Sequence, residues 1–124
     1  MDNYETSASL VPGSKVSGTS VYNTSNENIG SIYDIMIDKR SGKVAYAIMS
    51  FGGFLGIGED YHPLPWSKLT YNATLGGYVV DISPEQLKTG PAYPRDTTPA
   101  WGDRNYESGL HDFYGVGPYW GSMI

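Results

Sequence analysis

The sequence predicts an all-β, turn-rich domain, and three observations carry that prediction. Glycine (16) and proline (8) punctuate a chain of 124 residues, and tyrosine (11) is a residue of strands and interfaces. Short β-branched runs at 28–40, 43–51 and 78–82 are separated by clusters of Gly, Pro and Asn. The length suits one domain with a short extension, able to bury roughly two-thirds of its unfolded surface without staples.

The elements follow in order. Residues 1–14 are polar, end in Pro12-Gly13 and read as a flexible lead-in. Val16, Val21 and Tyr22 give a first strand, closed by the turn cluster Asn23 to Asn28. In Asn28 to Arg40 the apolar residues fall on both parities: Ile32 and Met36 on one, Ile35 and Ile37 on the other. A flat strand with one wet face alternates, so this pattern predicts a bend or bulge near Asp34, or cover on both faces. Ser41-Gly42 makes a tight turn into Lys43–Phe51. There Val44, Tyr46 and Ile48 share one face, and Ala45, Ala47, Met49 and Phe51 the other. Neither face is polar. A small barrel fills only its inside, so the outer face needs a helix, a tail or another subunit.

Gly52 to Gly58 is a glycine-rich loop, and Glu59 to Trp66 resumes extended structure as an edge strand, because Pro63 and Pro65 lack ladder donors. Trp66 to Leu69 reads as a single helical or 3₁₀ turn. Leu69–Leu75, the pair Gly76-Gly77 and Tyr78–Ile82 form a second hairpin. Ser83 as N-cap, Pro84 at N1 and Gln86 at N3 start a short helix that ends at Gly90-Pro91 and plugs the barrel with Leu87. From Pro91 onward no helical or strand period is visible. This extension, 91–124, is rich in rings: Tyr93, Trp101, Tyr106, Phe113, Tyr114, Tyr119 and Trp120. Disordered tails are poor in aromatics, so it is expected to pack on something.

Composition also excludes functions. With no cysteine there is no disulfide scaffold, iron–sulfur centre, thiol nucleophile or Cys-based zinc site. The formal net charge is −5, which disfavours direct contact with nucleic acid or anionic lipid. No apolar run approaches the ~20 residues of a membrane span, and the N-terminus shows no signal peptide. The expected location is cytoplasmic, membrane-peripheral only through a partner.

One ordered set of motifs has a familiar pattern. It runs Val21-Tyr22, Ile29 to Asp34, Ile37-Asp38, Ser41 to Val44, Phe51 to Gly58, Pro65 to Leu69 and Glu85 to Leu87. This set resembles the PRC-barrel family, which includes the cytoplasmic domain of the photosynthetic reaction centre H subunit and a domain of the ribosome maturation factors. The resemblance implies a small, partly open six-stranded β-barrel with a short helix over 15–90, bacterial in kind. It implies a docking module with no shared active site. Where relatives resemble Glu-Lys followed by a β-branched alternation, this chain has Glu59 to Pro63, which removes a basic position from the loop.

The 52–58 loop contains G-x-x-G-x-G, the reverse of the dinucleotide order, and Glu59 and Asp60 repel phosphate. Its Phe54 and Leu55 either cap the barrel or project toward a partner. Asp60 and His62 share a strand face, but two ligands do not make a metal site, and His111-Asp112 lies far along the chain. Asp34 and Asp38 read as turn-bonding residues rather than an acid–base pair. No cofactor, metal or catalytic residue is expected, and the chain is read as a non-enzyme. The partner-binding set is Phe54, Leu55, Trp66, Tyr46, Ile48, Trp101, Phe113, Tyr114, Tyr119 and Trp120. The tail rings cover their own barrel, cover a second copy to give a homodimer by arm exchange, or order on a partner or as an interfacial aromatic anchor. The function expected is protein–protein interaction or assembly. The alternatives are a membrane-peripheral accessory of a photosynthetic or electron-transport complex and a ribosome or RNA-processing assembly factor.

Overall fold

The computed structural model describes residues 9–51 and 59–120. Its strands are β1 (Ser20–Tyr22), β2 (Asn28–Ile37), β3 (Val44–Ser50), β4 (Tyr61–Pro65), β5 (Leu69–Asn72) and β6 (Gly77–Val80). They form one six-stranded mixed sheet in the order β4-β3-β2-β1-β6-β5, curled into a half-barrel. Among the described residues the one parallel pairing joins β1 to β6, Val21 opposite Tyr78. Strands β4 and β5 lie at opposite edges and are linked by a 3₁₀ turn over Trp66–Lys68. A helical turn, α1 (Gly13–Val16), begins inside the segment read as a lead-in and buries Val16.

The mixed parity of β2 has the predicted cause. Its register against β3 slips between Ile32 and Asp34 and again between Met36 and Ile37. At the first slip the Asp34 carboxylate accepts the Ile35 N–H at 2.8 Å, satisfying a donor that the bulge disturbs. In the 38–43 hairpin, Asp38 Oδ2 accepts from the Ser41 hydroxyl (2.6 Å) and the Ser41 N–H (3.1 Å). These bonds hold the Asp38 carboxyl below its ordinary range. The second hairpin differs from the sequence reading. β5 ends at Asn72, not Leu75, because Asn72 opens the turn itself, its Oδ1 accepting the Leu75 N–H at 3.0 Å.

The main core fills the concave side. Val21, Ile32, Ala47, Met49, Leu64 and Val80 are wholly buried there. Helix α2 (Pro84–Thr89) closes one end with Leu87, and Ser83 Oγ accepts the Gln86 N–H at 3.1 Å as its cap. Gly90 follows in ordinary extended geometry, so its value is space: a Cβ there would meet the Tyr114 hydroxyl and the Gln86 carbonyl.

The C-terminal segment departs most from expectation. Tyr93 bridges to Tyr61 through reciprocal backbone bonds of 2.9 Å and so lies along the outer edge of β4. Because the Tyr61 N–H points outward to Tyr93, strand alternation aims positions 63 and 65 the same way. The two prolines therefore cost β4 no donor toward β3. Farther on, residues 104–114 are helical, which overturns the aperiodic reading of the tail. Helix α3 (Arg104–Tyr114) starts at Asp103, whose Oδ1 accepts the Asn105 N–H at 2.9 Å. It ends at Gly115, left-handed with φ +68°.

Candidate functional site at the outer face of β3

Strand alternation sends Ala47 and Met49 into the half-barrel and Tyr46 and Ile48 to the opposite side. Both of those outward residues are only 1% exposed. Helix α3 and its flanks provide the cover at Tyr46. A second apolar cluster joins Ala45, Tyr46 and Leu110, with Met36, Trp101, Tyr106 and Tyr119 packed against it. The Tyr46 ring stacks on Trp101 at 5.3 Å and meets the Tyr119 ring edge-on at 5.8 Å.

At the centre of this apolar contact sits a buried polar knot. Glu107 and His111, one helical turn apart on α3, are 2% and 3% exposed. The Tyr46 hydroxyl lies 2.7 Å from Glu107 Oε1 and 2.9 Å from His111 Nε2. As a carboxylate Glu107 only accepts, so Tyr46 donates its single proton to it. His111 must then present Nε2–H to the Tyr46 oxygen. Glu107 also receives the Gly102 N–H on Oε2 (2.7 Å) and the Tyr119 hydroxyl on Oε1 (3.2 Å). Three donors thus compensate one buried charge. Burial first, then Glu107, pushes the Tyr46 hydroxyl above the ordinary phenol range. Burial holds the His111 imidazole below its ordinary value, against the opposing pull of Glu107, Gly117 and Asp112. At the rim the Arg104 guanidinium lies 4.0 Å over the Trp120 ring, which itself meets His111 edge-on at 5.4 Å.

The structure thus brings together Tyr46, Trp101, Tyr119 and Trp120 of the sequence-predicted set, with Ile48 on the same strand face. It sends the others elsewhere. Trp66 packs edge-on against Tyr78 at 5.3 Å, on the main core. Phe113 and Tyr114 join that core with Leu87, and burial pushes the Tyr114 hydroxyl up to about 12. Phe54 and Leu55 lie outside the described residues. Sequence reasoning missed Glu107, Leu110 and the place of His111. The available signal was Tyr106, Leu110 and Tyr114 at helical spacing between Asp103 and Gly115.

His62 is 2% exposed and lies edge-on to Phe51 at 5.0 Å, with no hydrogen bond on either ring nitrogen among the described residues. No group of three metal-ligating side chains occurs among those residues, and no described helix is long and apolar enough to cross a membrane.

A half-barrel of this strand order, with a C-terminal helix packed against β4 and against Tyr46 of β3, defines a small β-domain with a self-docked extension. The PRC-barrel domain family matches residues 10–87, well over half the chain, and the chain belongs to that family. The match spans the sheet and the start of α2 and stops before α3. No curated protein matches the chain. Membership points to protein interaction or assembly as the general role.

Proposed function

We propose that this chain is a non-catalytic interaction module whose outer β3 face docks an amphipathic helix, and that in the isolated chain its own α3 is the occupant. One observation carries the reading: an apolar strand face on a barrel is sealed by a helix that keys into it through Glu107 and Tyr46. A partner protein, or a second copy by arm exchange, has only to offer an equivalent helix. The burial of Tyr46, Glu107 and His111 supports a structural use of these groups, since a general acid or base must reach a substrate proton.

Light scattering of the full chain beside a chain ending at Gly90 tests this. The full chain is expected at its monomer mass of 13.5 kDa. The shortened chain, with the β3 face bare, is expected to self-associate, and a peptide of residues 99–120 to restore the monomer. The same peptide carrying Glu107→Ala should bind at least about tenfold more weakly. A full-chain dimer that truncation converts to monomer would assign the helix to a neighbour. A shortened chain that stays monodisperse and ignores the peptide would refute the docking surface.

A further inference from the structure

We infer that the partner this face selects is a helix bearing a carboxylate and an imidazole one turn apart, as Glu107 and His111 stand on α3, and that a purely apolar helix is turned away. The inference rests on the docking surface proposed above and names the chemistry of what docks there.

Tyr46 is the reading group. It belongs to β3, it is 1% exposed, and its hydroxyl is what the sheet contributes to the buried knot. A phenol has one proton to give and room to receive another. Glu107 Oε1 takes the first at 2.7 Å, and His111 Nε2 meets the oxygen at 2.9 Å. Residues four apart lie on one side of a helix, so a single turn presents both groups to one hydroxyl. Leu110 is buried beside them and fills the apolar part of the contact with Ala45.

Other helices fail on hydrogen-bond count. Leucine at both places would bury more apolar surface but leave the Tyr46 hydroxyl with neither partner, a loss of about tenfold or more in affinity for a buried polar group. Two carboxylates would set two acceptors against one proton and bury a second anion where Glu107 is already 2% exposed. A site built around a hydrogen bond rejects what lacks it more sharply than an apolar pocket rejects a change of size.

The other bonds of the knot do not do this reading. Glu107 also receives the Gly102 N–H and the Tyr119 hydroxyl, and both come from the helix's own side of the contact. The bonds to Tyr46 are the ones that cross to the sheet, so the selectivity resides in that hydroxyl.

The test uses the full chain carrying Glu107→Leu and His111→Leu, which weakens its own helix, and labelled peptides of residues 99–120 followed by fluorescence anisotropy. The tethered helix competes equally with every peptide, so the ratios of affinity survive. The natural peptide is expected to bind at least about tenfold more tightly than one with both leucines, and than one with His111→Glu. Apolar area alone gives the opposite order for the leucine peptide. With Tyr46→Phe added to the chain, the gap to the leucine peptide should narrow to about threefold or less, because costs within the peptide persist while those at the hydroxyl vanish. Failure of the natural peptide to bind, equal or tighter binding of the leucine peptide, or a gap that Tyr46→Phe leaves unchanged would each overturn the inference. So would loss of β2 amide protection in the leucine chain, which would assign the pair to the fold as a whole. In the natural chain, α3 amides without hydrogen-exchange protection would instead refute the docking reading beneath it.

Discussion

Replacing Tyr46 by Phe removes one oxygen and nothing else from the junction. The ring still stacks on Trp101 and meets Tyr119 edge-on, so apolar packing is retained. Glu107 loses its 2.7 Å donor and keeps Gly102 and Tyr119, while His111 loses its acceptor. A hydrogen bond to a buried charge contributes about 1.5–3 kcal/mol, and the stranded carboxylate puts the expected loss near the upper half of that range. Replacing Glu107 by Leu removes the charge instead and leaves Tyr46 bonded to His111. With both substitutions no buried carboxylate waits for a donor, so the double variant should be more stable than the sum of the single losses implies, by about 1 kcal/mol or more. Urea unfolding followed by tryptophan emission reads this well, because Trp101 and Trp120 flank the junction. With a slope of about 1–3 kcal/mol per molar urea, the Tyr46→Phe midpoint should fall by roughly 1 M. A change under about 0.5 kcal/mol, or additive single effects, would refute the idea that the hydroxyl–carboxylate pair holds the helix.

Other outcomes follow from the same geometry. Gly30→Ala places a Cβ against the Ser50 carbonyl and the Phe51 backbone, so thermal melting should show a loss of about 1–3 kcal/mol; an unchanged melting temperature would contradict the close approach of β2 and β3. Ser83→Ala removes the cap on Gln86 and should cost about 1 kcal/mol in the same assay, with Ser83→Gly costing less. Burial holds both His62 and His111 below their ordinary imidazole values. The unfolded chain therefore binds more protons than the folded one between about pH 6.5 and the lowered folded values. Stability from this source is complete above that range and is lost as acid crosses it, so the urea midpoint should drop between neutral and mildly acidic buffer. A flat or rising midpoint would be inconsistent with two buried neutral imidazoles.

The sheet was legible because its cues are local. Asp38 to Lys43 carries its own turn chemistry, and the broken parity around Asp34 reports a bulge without any knowledge of the partner strand. The need for a cover over Tyr46 was legible too, since two apolar faces on one strand cannot both point inward. The cover itself was not. Helix α3 contains Asn105, Ser108 and Gly109 among few strong helix formers, so its helicity depends on the burial of Leu110 and Tyr114 rather than on propensity. Glu107 was invisible for a related reason. A carboxylate is presumed wet unless its donors are known, and the Tyr46 hydroxyl, its shortest side-chain donor, lies 61 residues away on another element. The end of β5 was misplaced because the turn is set by the Asn72 side chain, upstream of the two glycines that draw the eye.

The parallel pairing of β1 with β6 has a consequence for how the molecule assembles. Strand β1 reaches β6 only after the chain between Val21 and Tyr78 has been gathered in, whereas β2, β3 and β4 pair as sequence neighbours. Loop-closure entropy rises slowly with length, about 0.6 kcal/mol per doubling, but it must be met before the distant contact gives anything back. On this argument hairpin β2–β3, extended by β4, is expected to form before β6 docks beside β1. The ring contacts that seat α3 lie on β3, so in that order the platform for the C-terminal helix is expected to precede closure of the half-barrel.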